Sequence, residues 1–342
     1  MTSAPDNIKK FTELSAHFLN KMNTYLQASN MRLANYWTAD HICWRTSSTE
    51  NYHASCSAIL NYAHKITEAD VNGRPISVFE LFTPLIWGER LIHLVEIPAP
   101  KANKKIKDGF EHIEIVCDET FKHLEKMFSQ CQWNKKGLEK NINPEIEIEF
   151  EDAAIKFHHH SLKSIIELEN NKPVYNAILD LNIFSHINMY EPLIVGTFPL
   201  GIPTGESDVD ILLNAEDFQA AHQTIHGLVN HHKDYSYKSN TYRNTKYLIY
   251  SFTHNRVPFE IYVQNKSTVK QYGFRHFFLE ERILQLAKPD WRKKLVQLRA
   301  DGLKTEPAFA QLLNLPGDPY ESLLSLYDKN DLELSQLVNN GI

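Results

Sequence analysis

No stretch of this chain offers eighteen uninterrupted apolar residues, so a membrane-spanning helix is not expected. The opening residues MTSAPDNIKKFTELSAHFL also lack the apolar region of a signal peptide, and the expectation is a soluble, cytoplasmic protein. Cysteine is scarce. Four occur in 342 residues (Cys43, Cys56, Cys117 and Cys131), all in the first half and with no C-x-x-C spacing, which excludes a disulfide framework and leaves reduced, mostly buried thiols. An excess of positive charge is missing as well: 36 Lys and Arg face 42 Asp and Glu, so no overall basic field points to nucleic acid. What remains, 42% hydrophobic and 23% charged residues, is the composition of an ordered chain long enough for two cores.

Apolar side chains at Phe11, Leu14, Phe18, Met22 and Leu26 recur at steps of three and four, which predicts an amphipathic helix over 7–29. In WTADHICWRT, alternation then sets His41, Cys43 and Arg45 on one face of a strand. A helix (50–63), a strand (65–71), an Asn72-Gly73 turn and the strands RPISVFELF and RLIHLVEIP follow. The order β, α, β, β, β recurs from GFEHIEIVC through a helix at 119–129 and strands at 145–151 and AAIKFHH, a repeat of about seventy residues in element order. His41 and His112 sit on the first strands of the two units, Glu96 and His158 on the last. Two curved sheets facing each other would bring these four together. Three imidazoles and a carboxylate suit a divalent transition metal such as Zn²⁺, Ni²⁺, Fe²⁺, Mn²⁺ or Co²⁺. Glu114 and Glu80 are reserve ligands, His93, His159 and His160 surface or second-layer groups, and Arg45 an ion-pair former or anion contact.

The strand order, with DHICWRT, NGRPISVFEL, LVEIPAP, GFEHIEIV and IKFH, resembles the vicinal oxygen chelate superfamily of glyoxalase-like and extradiol dioxygenase-like proteins. Within it the likeness is to the YecM-like branch, over about residues 8–169. The resemblance implies paired βαβββ modules around a metal. His158 stands where many enzymes of the superfamily carry Glu, which leaves the metal and the reaction open.

The second half is organised around GTFPLGIPTGESDVDILL, residues 196–213. A buried strand (192–195) leads through a Gly/Pro-rich turn to a second strand that carries Asp208 and Asp210 on one face, a carboxylate pincer suited to Mg²⁺. Gly196 allows close backbone approach to a phosphate, and Thr197 adds a hydroxyl. This resembles the nucleotidyltransferase superfamily, whose signature is Gly-Ser, about ten residues, Asp-x-Asp, and a third carboxylate on a later strand, here Glu260 in VPFEIYV. Together with FRHFFLEERIL, it looks like a bacterial family of nucleotidyltransferase-like proteins without an assigned function. Thr197 replaces the usual Ser but keeps the hydroxyl.

The boundary is expected near Asn171, where HHSLKSIIELENNKP ends a short helix, giving units 1–171 and 172–342. The predicted fold is α+β: paired βαβββ modules, then a nucleotidyltransferase-like α/β domain with a C-terminal helical cap. Helices are expected at 174–190 and 215–229, the latter favoured by Glu216 or Asp217 near its start, strands at 234–239, 246–254 and 257–263, and helices from Thr268 onward. Gly196, Thr197, Ser207 and Arg275 form the nucleotide-binding set. Arg275, His276 and Glu280, close together on one helix, either reach the nucleotide or make a salt-bridged solvated face. Tyr242, Arg243 and Lys246 form a small basic, aromatic patch.

The resemblance implies Mg²⁺-dependent transfer of a nucleoside monophosphate from a nucleoside triphosphate to an unknown acceptor, with Asp208, Asp210 and Glu260 catalytic. An isomerase, lyase or dioxygenase in the first half with a nucleotide sensor in the second is the alternative, and a scaffold that binds without turnover is a third.

Overall fold

Strand β1 (Thr38–Arg45) sets the architecture, because its alternation is used on both sides. Ile42 and Trp44 enter a core with Phe18, Met22, Phe79, Val95, Ile113 and Phe157, whereas His41, Cys43 and Arg45 lie on the opposite face. The computed structural model describes residues 10–71, 73–101, 106–242 and 244–340. Asn72 and Arg243, and the first residues of the predicted 7–29 helix, lie outside these.

After β1 come a helix (Thr49–Ile59, capped by Ser48), β2 (Ala63–Asp70), β3 (Pro75–Trp87) and β4 (Arg90–Pro98). The second unit runs through β5 (Gly109–Val116), a helix (Phe121–Met127, capped by Thr120), β6 (Trp133–Asn134), β7 (Ile146–Glu149) and β8 (Ala154–His158). These are the two expected βαβββ units, but they do not form two facing sheets. β1 and β5 pair antiparallel, with Ile42 opposite Ile113, so one eight-stranded sheet runs β2-β3-β4-β1-β5-β8-β7-β6. Because β1–β4 and β5–β8 are both parallel pairs, the halves are related by a pseudo-twofold between β1 and β5. The first helix (Phe11–Ala28) buries its Phe11, Phe18 and Met22 stripe against this sheet.

The helix Leu162–Asn170, capped by Ser161, is followed directly by the helix Lys172–Leu181. The predicted 174–190 helix is broken. Asn182 turns left-handed at φ 44°, a conformation Asn tolerates, and the chain restarts as a short helix at Phe184–Ile187. A five-stranded sheet follows in the order β11-β12-β13-β10-β9. Its members are β9 (Leu193–Val195), β10 (Val209–Asn214), β11 (Lys233–Tyr242), β12 (Thr245–His254) and β13 (Val257–Gln264). The turn after β9 contains a helical turn, Thr197–Leu200. The helix Phe218–Val229 is capped by Asp217, which accepts from the amides of Gln219 and Ala220.

Among the described residues five α-helices follow: Tyr272–Leu286, Asp290–Ala300, Thr305–Leu312, Pro319–Leu324 and Asp331–Asn340. The cap reaches beyond the second sheet. Its core, with Phe274, Phe278, Trp291 and Phe309, also takes in Leu91 and Val116 of the first sheet. Asp331 accepts from the Leu91 amide and pairs with buried Arg282, and Tyr327 donates to Asp118 at 3.1 Å. Among the described residues, no helix is long and apolar enough to cross a membrane. All four cysteines are free, with Cys43 and Cys117 buried.

Candidate metal and nucleotide sites

Register on the first sheet brings the polar face together. On β1 and β5, His41 stands opposite Glu114 and Cys43 opposite His112; on β1 and β4, Cys43 stands beside Glu96. His41, Glu96 and His112 offer donor atoms that all lie within 4.8 Å of one another. His41 and His112 are each 2% exposed. Each ring is held from behind: His41 Nδ1 donates to Asp40 at 2.8 Å, and His112 Nδ1 donates to Glu111 at 3.0 Å. His158 Nδ1 donates to the carbonyl of His160, which also accepts from Asn143 at 2.9 Å. The three Nε2 atoms are buried and turn toward Glu114, at 3.6, 3.2 and 3.2 Å from its oxygens for His41, His112 and His158, without hydrogen-bond geometry. Imidazoles fixed through Nδ1 with Nε2 turned inward are in the form that ligates a metal, so His41 and His112 fit a divalent transition metal together with Glu96, whereas His158 is not among the donors that lie within 4.8 Å of one another.

His158 is 1% exposed, not solvated, and its Nε2 lies 3.2 Å from Glu114 Oε2. Glu114 sits between the rings, with Oε1 3.2 Å from His112 Nε2 and 3.6 Å from His41 Nε2. As a reserve ligand it is compromised, because Lys156 on β8 pairs with it at 2.8 Å. Burial opposes its ionisation, yet Lys156 and His41 hold its carboxyl well below the usual range. Lys156 escaped the sequence reading; only the parallel β5–β8 register sets it beside Glu114. Arg45 pairs with Glu111, the carboxylate behind His112, which fixes it as a structural ion-pair former. Glu80, the other reserve ligand, is bound to Lys163 at 2.6 Å. His159 and His160 are not surface groups: His159 donates to the Cys117 carbonyl, and His160 Nε2 donates to Ile194 of β9.

In the second sheet, Asp210 on β10 stands beside Glu260 on parallel β13, and Asp208 lies just before β10. Gly196 has φ 81°, and a Cβ there would meet Asp210 Oδ2 at 2.1 Å, so only glycine leaves the pincer room. Thr197 donates to Ser207 Oγ at 2.9 Å, and Ser207 accepts from the Thr204 amide, tying the turn to the segment that carries Asp208 into β10. These residues open onto a cleft of about 640 Å³, lined also by Tyr242, Tyr262, His276, Glu280, Arg299 and Glu306.

Electrostatically the cleft is short of cations. Burial raises the carboxyls of Asp208 and Glu260, with the Asp208 charge adding to the rise at Glu260. Burial raises Asp210 well above its usual range, and Asp208, Glu260 and Glu306 push it further while Arg299 pulls back. A buried set of mutually repelling carboxylates fits a bound cation, and three oxygens of this kind fit Mg²⁺. Arg275 is not part of this lining. A step of one residue along the helix turns it away from His276, and its guanidinium lies 4.5 Å over the Tyr327 ring. Lys246 rests over Phe218, and Tyr242 lines the cleft mouth. Glu306, Arg299 and Tyr320 escaped the sequence reading, since they reach the cleft from helices that follow Asp210 by some ninety residues or more.

Residues 7–169 match the model of the YecM protein family, and residues 176–326 match that of a domain of unknown function, DUF4269. An uncharacterized protein of Haemophilus influenzae is 25% identical over 192 residues, 50% of this chain and 100% of that one. Protein YecM of Escherichia coli is 28% identical over 155 residues, 39% of this chain and 79% of that one. Among solved structures, the Cid1 poly(U) polymerase with bound MgGTP aligns at a TM-score of 0.30 and 11% identity, over 48% of this chain and 49% of that one. The chain thus joins a half similar to the YecM protein, built of paired βαβββ modules, to a half that matches a domain family of unknown function.

Proposed function

We propose that the second half transfers a nucleoside monophosphate from a nucleoside triphosphate to an acceptor hydroxyl. The observation that carries this reading is the pincer itself: Asp208, Asp210 and Glu260 repel one another beside a glycine whose missing Cβ leaves space for Asp210. Asp208 and Asp210 would hold Mg²⁺, which when bound offsets charge on the triphosphate and on the departing pyrophosphate. Gly196 and Thr197 receive the phosphates at the turn. Glu260, its carboxyl raised by burial, takes the proton of the acceptor hydroxyl as that oxygen bonds to the α-phosphorus and the bond to pyrophosphate breaks. Tyr242, Tyr262 and Tyr320 supply flat faces for the base. The division near Asn171 is part of the same proposal: a metal-binding unit, 1–171, joined to a transferring unit, 172–342.

The first unit, on this reading, holds a divalent transition metal through His41, Glu96, His112 and His158. The converging donors of His41, Glu96 and His112 favour a second reading, in which that unit is the enzyme, an isomerase, lyase or dioxygenase, and the second unit senses nucleotide. Incubation with radiolabelled nucleoside triphosphates, Mg²⁺ and a broad acceptor pool separates the two. We expect labelled product and pyrophosphate from the native chain, with transfer slowed by on the order of a hundredfold or more in Asp210→Asn. Equal labelling by both proteins, or nucleotide bound but never consumed, turns the assignment to the sensor.

A further inference from the structure

The nucleotide cleft has a second cluster of donors, on its helical side, that the pincer does not use. His276 and Glu280 lie four residues apart on the helix Tyr272–Leu286, so one turn stacks them on the same face. Glu306 joins them from the first turn of the helix Thr305–Leu312. One donor atom from each lies within 4.8 Å of the others. All three residues line the cleft that Asp208 and Asp210 open onto.

The surroundings leave two of these donors, on His276 and Glu280, unspent. His276 is 5% and Glu280 3% exposed. His276 Nδ1 and Glu280 Oε1 are buried without a hydrogen-bond partner among the described residues. The neighbouring groups do not fill the gap: Tyr320 meets His276 through its ring edge, at 6.0 Å between centroids, and Arg299 directs Nη1 to the Ile202 carbonyl at 2.6 Å. A buried imidazole nitrogen and a buried carboxylate oxygen left bare each cost free energy, and the cost is relieved if both face one ion.

We propose that His276, Glu280 and Glu306 form a separate metal site for a borderline divalent cation such as Zn²⁺, Co²⁺ or Mn²⁺. One nitrogen and two carboxylate donors select these over Mg²⁺, which prefers oxygen alone, whereas the pincer across the cleft is all oxygen. Three protein ligands leave coordination positions open toward the cleft, where a phosphate or carboxylate of a bound molecule binds. The site stands whether or not the pincer transfers nucleotides.

The test uses the full chain. Crystals soaked with Zn²⁺ in excess Mg²⁺ are measured at the zinc absorption edge, and an anomalous peak is expected between His276, Glu280 and Glu306. In solution, zinc bound per chain is compared for the native protein, His276→Gln and Glu306→Gln, with melting temperature as the check of folding. Each variant is expected to lose one equivalent or to bind it at least about tenfold more weakly. Glu306→Gln keeps the test decisive where His276→Gln disturbs the packing, because Glu306 sits at a helix start at the edge of the core. No peak at this position, or unchanged zinc stoichiometry and affinity in folded Glu306→Gln, overturns the proposal.

Discussion

On the first sheet the carboxylates around the histidines have cations of the chain beside them: Glu114 has Lys156, Glu111 has Arg45, and Glu80 has Lys163. In the cleft of the second sheet, Asp208, Asp210, Glu280 and Glu306 share the pull of one arginine, Arg299, and Lys304 adds to it at Glu306. The first site holds its charges in balance before any metal arrives, and its histidines are positioned by hydrogen bonds behind them. The second holds more carboxylates than cations, which on the proposed reading a bound metal offsets. Both arrangements accommodate cations, but they respond in opposite directions when one charged residue is removed.

The largest effect follows from Lys156→Met, which leaves Glu114 buried without its partner. Breaking a buried ion pair from one side is expected to lower stability by about 3–5 kcal/mol. Asp210→Asn in chelator-treated protein should instead leave stability unchanged or raise it, because one member of a repelling set is gone. Denaturant unfolding of both variants checks this contrast. Equal losses in the two would show that the sites do not differ as argued.

A smaller effect belongs to the junction between the halves. There His93 and Leu94 of β4 meet Asp40, Glu80, Lys163 and Gln285. Burial pushes the His93 imidazole down to about 4, and Lys163 pushes the same way while Glu80 opposes. Between that value and the ordinary value near 6.5 the unfolded chain binds more protons at this residue than the folded one. Its contribution is therefore complete above about pH 6.5 and lost as pH falls toward 4. His93→Gln should flatten stability over that window by on the order of 3 kcal/mol, read from unfolding at a series of pH values.

The smallest effect is expected from Thr197→Ser. The hydroxyl that donates to Ser207 is kept, so nucleotide binding and transfer should stay within about twofold of native. Binding measured by calorimetry is the check, and a large loss would give the methyl group a role the turn does not show.

Much of this was legible in single stretches of sequence. Period-two alternation put His41, Cys43 and Arg45 on one face, and the same rule joined Asp208 to Asp210, which both line the cleft although Asp208 stands one residue before the strand. The element order of both βαβββ units was readable, apart from the two-residue β6, because each longer helix and strand carries its own periodicity. Relations between stretches were not. Glu114 meets Lys156 across 42 positions through a parallel pairing that no local pattern encodes. The single continuous sheet depends on β1 choosing β5 as its neighbour, and the docking of the tail on the first sheet depends on Asp331 finding Leu91 across 240 positions. Arg275 was assigned from proximity in sequence, whereas the face of a helix turns by about 100° per residue. That turn carries His276 into the cleft and Arg275 onto Tyr327.

The central claim, that the carboxylate pincer is a metal-dependent nucleotide site, is tested most directly by crystals of the full chain soaked with a non-hydrolysable nucleoside triphosphate and Mg²⁺. The account predicts Mg²⁺ on Asp208 and Asp210, with the triphosphate along Gly196 and Thr197. Density showing a triphosphate bound away from these residues, or no ion and no nucleotide at a saturating soak, would contradict it.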